Sequence, residues 1–467
     1  MKHPAPPPQL SDLLEADGKN DRKQTDINSI AKLMSSDIGR DRDPAYVHWD
    51  KLRYKPLPEG VSSHEQWWLL TKFRRQSAYR KLPFLATDGS HFVYWINDPN
   101  LERLHRIDQQ ASGRVEVPEE VTNDRTRDRY LVSSLIEEAI TSSQLEGAST
   151  TYRVAKAMLR ENRQPRDKDE RMIFNNYRAM TYIRELTNEN LSKDLLFELH
   201  RVVTDGTLDN PESAGRFRRS EEDIAVYDNR DNTLLHMPPH ASELEARMER
   251  ICRFANSELD DDTFLHPAIR SIILHLMVAY DHPFVDGNGR TARALFYWSM
   301  AKHGYWLMEH LSISSILKQG PSKYARAYLY TESDENDASY FIDFNLMVIQ
   351  RAIVRLREYL ARKSGEIQRV ERLIGNSMLA KNMNHRQLAV VSHALRNPGE
   401  VYTIESHRKS HDVTYPTARS DLLWLSRHEL LTKRKVGSAF VFEGAFDIEN
   451  RIEELRRKFD SGKKGGK

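Results

Sequence analysis

The spacing of apolar residues changes several times along this chain, and the changes divide it. Residues 1–60 are polar and broken by proline, as in "PAPPPQ". They predict a partly disordered arm or an irregular embrace of the body. Residues 61–124 are mixed, with strand-like pieces such as "HFVYWI". From about Arg125 steps of three and four take over. Leu131, Leu135, Ile136, Ala139 and Ile140 share one helical face. The period continues through "TTYRVAKAMLREN", "NNYRAMTYIRELT" and "KDLLFELHRVVTDG". It breaks over residues 216–239, where "IAVY" and "TLLHM" flank a polar "DNRDN". That pattern predicts a β-hairpin ended by Pro238 and Pro239. Helices resume at "SELEARMERICRFANSEL" and "PAIRSIILHLMVAYDHPF", and this helical core is expected to end near residue 375. Residues 381–445 then read as helix, helix, helix and hairpin, the order of a winged helix-turn-helix. Residues 458–467, ending "DSGKKGGK", predict a flexible tail. The expected fold class is mainly α: a helical bundle with a β-hairpin, followed by the winged helix.

Composition adds limits rather than direction. The chain has 467 residues, 39% hydrophobic and 30% charged, with a net charge of +2. No strong field points to nucleic acid or to a membrane surface. The single cysteine, Cys252, excludes a disulfide within the chain and a multi-cysteine metal site. A reducing cytoplasm is the expected location. The N-terminus lacks a signal-peptide core, and no apolar run reaches 18 residues.

The densest chemistry lies in "HPFVDGNGRTAR", His282 to Arg293. Asp281 and Pro283 break the apolar helix before it, and a new helix is expected from "RTARALFYWSMAKHG". "DGNG" therefore sits just before a helix N-terminus, where unpaired N–H groups favour anions. Gly287 and Gly289 allow close approach and positive φ. Arg290 and Arg293 lie three apart, on one face. Two forked cations beside such a nest suit a polyphosphate. Asp286 is a hard oxygen ligand of the kind Mg²⁺ takes together with phosphates. His282 can accept a proton near neutral pH. Each group alone has an ordinary structural explanation. Twelve residues holding all of them point to a Mg²⁺–nucleotide and a base that activates a hydroxyl.

His282, Phe284, Asp286, Gly287, Asn288, Gly289, Arg290 and Arg293 match every fixed position of the Fic family signature, His-x-Phe-x-(Asp/Glu)-Gly-Asn-Gly-Arg-x-x-Arg. The resemblance spans roughly residues 125–375. It implies AMP transfer from ATP to a Tyr, Thr or Ser hydroxyl of a protein. His282 would be the base, and Asp286 would hold Mg²⁺ between the α- and β-phosphates. Gly287 to Gly289 and the Asn288 side chain would hold those phosphates. Arg290 would contact the phosphates and Arg293 the γ-phosphate. Related kinases of the family carry lysine where Gly289 stands, so Gly289 favours AMP transfer over phosphate transfer. UMP and phosphocholine transfer stay open.

A second stretch, "SSQLEG", ends the helix expected at 131–146. Ser142, Glu146 and Gly147 resemble the family's inhibitory motif, (Ser/Thr)-x-x-x-Glu-(Gly/Asn). The resemblance implies that Glu146 pairs with Arg293 and displaces the γ-phosphate, so the resting enzyme is inhibited. AMP removal from a target also stays open. The hairpin resembles the family's flap, where an extended target segment would add to the edge. Tyr324 would line the adenine pocket. Residues 381–443 carry a net charge of +4, with Arg419 and the wing lysines as DNA contacts. The expected partners are ATP and a hydroxyl-bearing protein; the chain itself as target, and DNA or a protein as partner of the winged helix, stay open. No membrane partner is expected, and a homodimer stays open. The alternative to the enzyme is a DNA-binding regulator with a nucleotide-sensing core.

Overall fold

The computed structural model describes residues 2–9, 46–112, 124–160, 163–222, 224–228, 230–259, 264–374, 382–396, 399–411, 413–436, 439–445 and 447–461. Among them the fold is mainly helical. The chain separates into two compact units, Met1–Leu356 and Arg357–Lys467.

The first unit opens with α1 (His64–Ala78), the antiparallel pair β1 (Arg80–Leu85) and β2 (His91–Tyr94), and α2 (Asp98–Ala111). Then come α3 (Asp124–Leu145), α4 (Tyr152–Arg160), α5 (Lys168–Glu185) and α6 (Lys193–Thr204). The expected hairpin is present but short, β3 (Val226–Tyr227) against β4 (Leu234–His236). After it run α7 (Leu244–Ala255), α8 (Pro267–Asp281), α9 (Asn288–Lys302), α10 (Ile313–Leu317), α11 (Pro321–Ser333) and α12 (Ser339–Ile374), which continues past Leu356 into the second unit. No described helix is long and apolar enough to cross a membrane.

α8 and α9 sit at the centre, which is why their sequences are apolar on nearly every side. Pro267 starts α8 with its φ already helical, and His266 accepts from the Ala268 N–H as the cap. Ile272, Leu276, Phe296 and Trp298 are buried, and the Trp298 indole donates to Leu186 O at 3.0 Å. Cys252 belongs to the same core, and burial pushes its thiol up to about 12.

α3 is fastened to this core by a buried carboxylate. Glu138 accepts from the Tyr297 hydroxyl at 3.0 Å, the Ser312 hydroxyl at 2.9 Å, the Ser314 N–H at 3.0 Å and the Ser314 hydroxyl. Burial raises its pKa. The four donors stand in for water and offset that cost.

Part of residues 1–60 lies against the body. Tyr46, Val47, Trp49 and Leu52 are buried in the body. The Tyr46 hydroxyl donates to Asp337 at 2.8 Å, and the Arg75 guanidinium lies over its ring at 3.8 Å. The residues were too sparse to show a period, yet each aromatic one found a buried partner. Residues 10–45 lie outside the described residues.

The second unit carries α13 (His385–Arg396), β5 (Val401–Thr403), α14 (Ile404–His411), α15 (Tyr415–Arg427), β6 (Leu431–Val436), β7 (Ala439–Gly444) and α16 (Ile448–Ser461). Its sheet has the order β5-β7-β6, antiparallel throughout. Leu422, Leu425, Leu430 and Leu431 form its core with Phe442, while Leu423 is half-buried. The buried Asp421 gathers Arg386 at 2.7 Å, Asn384 at 2.7 Å and His407 at 3.2 Å. α16 runs through Ser461, so residues 458–461 are helical and not a flexible tail. Ile448 and Ile452 give that helix a buried face. The rest of the tail, residues 462–467, lies outside the described residues.

Trp298→Ala removes the largest side chain of α9 and orphans Leu186 O. It should destabilise the first unit by about 3–5 kcal/mol, read as a lower denaturant midpoint in its unfolding.

Candidate active site

The loop joining α8 to α9 holds the site, and the loop is shaped before any ligand arrives. α8 stops because His282 takes a left-handed conformation, φ 45° and ψ 58°, just ahead of Pro283. Arg218, which follows α6, secures that turn. Its Nε donates to His282 O at 2.9 Å, its backbone N–H to Pro283 O at 2.9 Å, and its guanidinium also to Pro239 O beyond the hairpin. His200 on α6 secures the other half. Its Nδ1 accepts from the Gly215 N–H at 2.9 Å, which leaves the hydrogen on Nε2 to donate to Asp286 O at 2.9 Å. Burial lowers the His200 pKa to about 4, so the ring is neutral. It stacks on Phe284 with centroids 3.8 Å apart.

Asn288 faces its own loop. Its Oδ1 accepts from the Phe284 N–H at 2.9 Å and its Nδ2 donates to Phe284 O at 2.8 Å. Both polar ends of the amide are engaged, so Asn288 shapes the nest rather than reaching into it. Gly287 is the N-cap of α9 with φ 83°, and a Cβ there would lie 2.8 Å from the Thr204 methyl. α9 begins at Asn288, earlier than "RTAR" suggests, so Gly289 is already helical. The expectation of positive φ holds for Gly287 alone. At Gly289 a Cβ would overlap Glu146 Oε1 and stand 2.8 Å from its Cδ, so a side chain there would push the Glu146 carboxylate aside.

The two arginines differ. Arg290 is fully buried and holds Val203 O at 3.1 Å and Asp286 at 3.4 Å. Arg293 is the meeting point of the two sequence motifs. Its Nη2 pairs with Glu146 Oε1 at 2.8 Å and donates to Ser142 O at 3.0 Å, and its Nε donates to the Ser142 hydroxyl at 2.8 Å. Burial opposes its charge, but Glu146 and the nearby Tyr324 and Glu138 outweigh that, and its pKa is raised. Gly147, φ +99°, turns the chain away after α3.

Above the loop lies a cavity of about 700 Å³, its mouth included, lined by His282, Gly289, Arg293, Glu146 and Tyr324. Val226, Leu235 and His236 of the hairpin close one side, and Ala325, Tyr328, Leu329 and Glu332 of α11 the other. The Tyr324 hydroxyl lies 2.8 Å from His275 and 2.9 Å from Tyr328. Desolvation lowers the His282 pKa to about 4, so it is a neutral base at pH 7. Its Nδ1 faces Ala279 O at 3.4 Å, which leaves Nε2 to take a proton.

Asp286 is exposed, with Oδ1 accepting from the Gly287 N–H at 2.6 Å. Among the described residues no cluster of three or more His, Cys, Asp or Glu side chains could cage a metal. One exposed carboxylate beside an anion nest fits a divalent cation that arrives with phosphates, not a resident one.

Sequence reasoning missed His200 and Arg218, because each acts through a loop distant in sequence. It also missed the hairpin's clamp. His236 donates from Nε2 to Tyr280 O at 2.7 Å and from Nδ1 to Glu332 at 2.8 Å. Burial works against its charge, but Glu332 prevails and the pKa is raised.

With this geometry in place, comparison with known proteins gives a consistent result. Residues 190–300, from before α6 to the end of α9, match the Fic/DOC family. The region that builds the site is therefore similar to the Fic/DOC family. It is 36% identical over 130 residues to the protein adenylyltransferase Fic of Drosophila melanogaster, and 35% over the same length to that of Drosophila yakuba. The first alignment spans 27% of this chain and 24% of the relative, so the chain matches about a quarter of those proteins. Among solved structures, a Fic family protein from Desulfovibrio desulfuricans aligns with a TM-score of 0.46 at 18% identity, covering 74% of this chain and 94% of that one. Fic-1 from C. elegans aligns at 0.42 and 19%, covering 57% and 72%.

Removing the clamp tests its hold on the hairpin. His236→Ala should raise amide exchange across Val226–Leu235 by about tenfold or more at pH 6.5, the worth of a charge-assisted bond. A raised pKa means the contact is intact below the free-histidine value of about 6.5 and lost as pH rises through the folded one. The difference between the two proteins should therefore shrink at alkaline pH.

Proposed function

We propose that the chain transfers AMP from ATP to a protein hydroxyl, and that Glu146 holds this activity in check. The observation that carries the reading is the Arg293 guanidinium at the cavity floor, paired with Glu146 at 2.8 Å beside a base and an anion nest. His282 Nε2 takes the hydroxyl proton of the target. The freed oxygen forms a bond to the α-phosphorus, the bond from that phosphorus to the bridging oxygen breaks, and pyrophosphate leaves. N–H groups at the start of α9 face the phosphates, with Gly289 admitting them closely. Arg293 holds the γ-phosphate. Asp286 would hold a divalent cation, which neutralises phosphate charge when bound.

Glu146 competes for the Arg293 fork. While it sits there, the γ-phosphate has no anchor and the α-phosphate is not aligned with the incoming oxygen. Misalignment by about 1 Å costs on the order of 10²-fold in rate. Glu138 keeps α3 in place, so release requires Glu146 to swing away at the last turn and not the departure of the helix.

The DNA-binding alternative draws on exposed Arg419 and the wing. There Arg434 pairs with Glu443 at 3.2 Å and Lys433 lies 3.8 Å over the Phe440 ring. The wing's cations are partly engaged at home, and the enzyme reading stands first.

Two outcomes are expected. Glu146→Gly incubated with Mg²⁺ and ATP should gain AMP adducts, by mass spectrometry, at least about tenfold faster than wild type; equal rates would refute the brake. A base must be deprotonated to act, so activity is present above the His282 pKa and lost below it. The acid limb of the Glu146→Gly pH–rate profile should fall near pH 4 or lower, because Glu146 raises that pKa and its removal lowers it further.

A further inference from the structure

Residues 2–9, Lys-His-Pro-Ala-Pro-Pro-Pro-Gln, lie beside the hairpin that closes one side of the active-site cavity. The His3 imidazole donates from Nε2 to the main-chain carbonyl of Leu234 on β4, at 2.7 Å. Two residues on, the Ala5 N–H donates to Asp50 at 3.0 Å. Asp50 in turn pairs with Arg326 of α11 at 3.0 Å. Leu234 precedes the cavity-lining Leu235, and Arg326 follows the cavity-lining Ala325. The segment therefore touches the hairpin directly and is linked to α11 through Asp50. It is packed in place: Pro4 and Pro7 are buried, and Ala5 rests on the cluster of Val47, Trp49, Leu52 and Trp68.

The chemistry of the segment suits this position. Prolines at 4, 6, 7 and 8 remove four N–H donors, so the segment cannot add to β4 as a regular strand. It takes the Leu234 acceptor with a side chain instead. None of residues 2–9 carries a hydroxyl, so nothing in it can receive AMP. Lys2 also carries the charge opposite to that of Asp228 and Asp231 in the hairpin turn. An extended, low-entropy proline segment of this kind docks at small ordering cost.

We propose that the surface between β4 and the α11 side is a docking surface for an extended, proline-bearing segment, that residues 2–9 are its resident occupant, and that a protein target must displace them. The surface is then a second brake, acting on the target as Glu146 acts on ATP. The displacement half of this statement rests on the AMP-transfer reading; the docking half stands without it.

The test uses a fluorescent peptide with the sequence of residues 1–9 and three proteins: the full chain, the chain lacking residues 2–9, and His3→Ala, which leaves the packed prolines in place. A tethered segment that stays docked needs an affinity better than its effective concentration, roughly millimolar. The truncated chain should bind the peptide saturably below that concentration, the full chain at least about tenfold more weakly because its own segment competes, and His3→Ala in between. No saturable binding by the truncated chain or by His3→Ala overturns the docking surface. In the Glu146→Gly background, removal of residues 2–9 should raise α-label transfer from ATP onto lysate protein several-fold. Added peptide should reverse the gain, with ATP affinity unchanged. If Glu146→Gly transfers AMP but the truncation leaves transfer unchanged, the displacement claim fails. If Glu146→Gly transfers no AMP at all, the enzyme reading fails and peptide binding alone decides the docking surface.

Discussion

One buried cation organises the site. The Arg293 guanidinium has lost its water, so its forked donors must be satisfied by partners inside the protein, and those partners decide the state of the site. Here the partners are Ser142 and Glu146, both from the end of α3. Much else follows from making that contact possible. The bare backbone at Gly289 leaves room for it, since Glu146 Oε1 occupies the place a Cβ would take. Glu138, two turns earlier on α3, is buried among four donors and fixes the helix so that Glu146 reaches its mark. Asn288, His200 and Arg218 hold the neighbouring loop in a fixed shape, leaving its N–H groups and the His282 ring facing the cavity.

The arrangement separates parts that hold from parts that move. The α8–α9 loop is held from three sides, by α6, by Arg218 and by its own Asn288. Around it, at the edge of the cavity, stand the exposed Asp286, the Glu146 carboxylate, the hairpin on its His236 clamp, and residues 2–9. These are the elements that nucleotide, cation and target would each have to meet. A rigid base with adjustable gates is what in-line transfer demands, since the reacting atoms tolerate little error while entry must still be controlled.

Much of this was legible in the sequence, for a physical reason. The signature from His282 to Arg293 is local, so its residues are brought together by one turn and one helix cap. The helical period gave α3, α8 and α9, and the polar "DNRDN" gave the hairpin. What escaped was long-range. Nothing near His200 says that its ring will stack on Phe284, and nothing near Arg218 says that it will hold His282 O. Gly289 was read as room for a ligand and as positive φ; it is helical, and the side chain nearest its missing Cβ belongs to a residue 143 positions earlier in the chain. The short elements also escaped: β5 has three residues, too few to set a period, and Tyr46–Leu52 is buried through aromatic contacts that follow no spacing. The pairing of Glu146 with Arg293 came from the family resemblance, and here it has a geometry of its own.

The most direct measurement compares ATP and ADP affinity in His282→Ala, where turnover is blocked, with and without Glu146→Gly. If Glu146 and the terminal phosphate contest one guanidinium, removing the glutamate should tighten ATP by about tenfold or more, the worth of a charge-assisted contact, and ADP much less. An equal gain for both nucleotides, or none for ATP, would mean that Arg293 does not hold the γ-phosphate, and the account of the brake would fail.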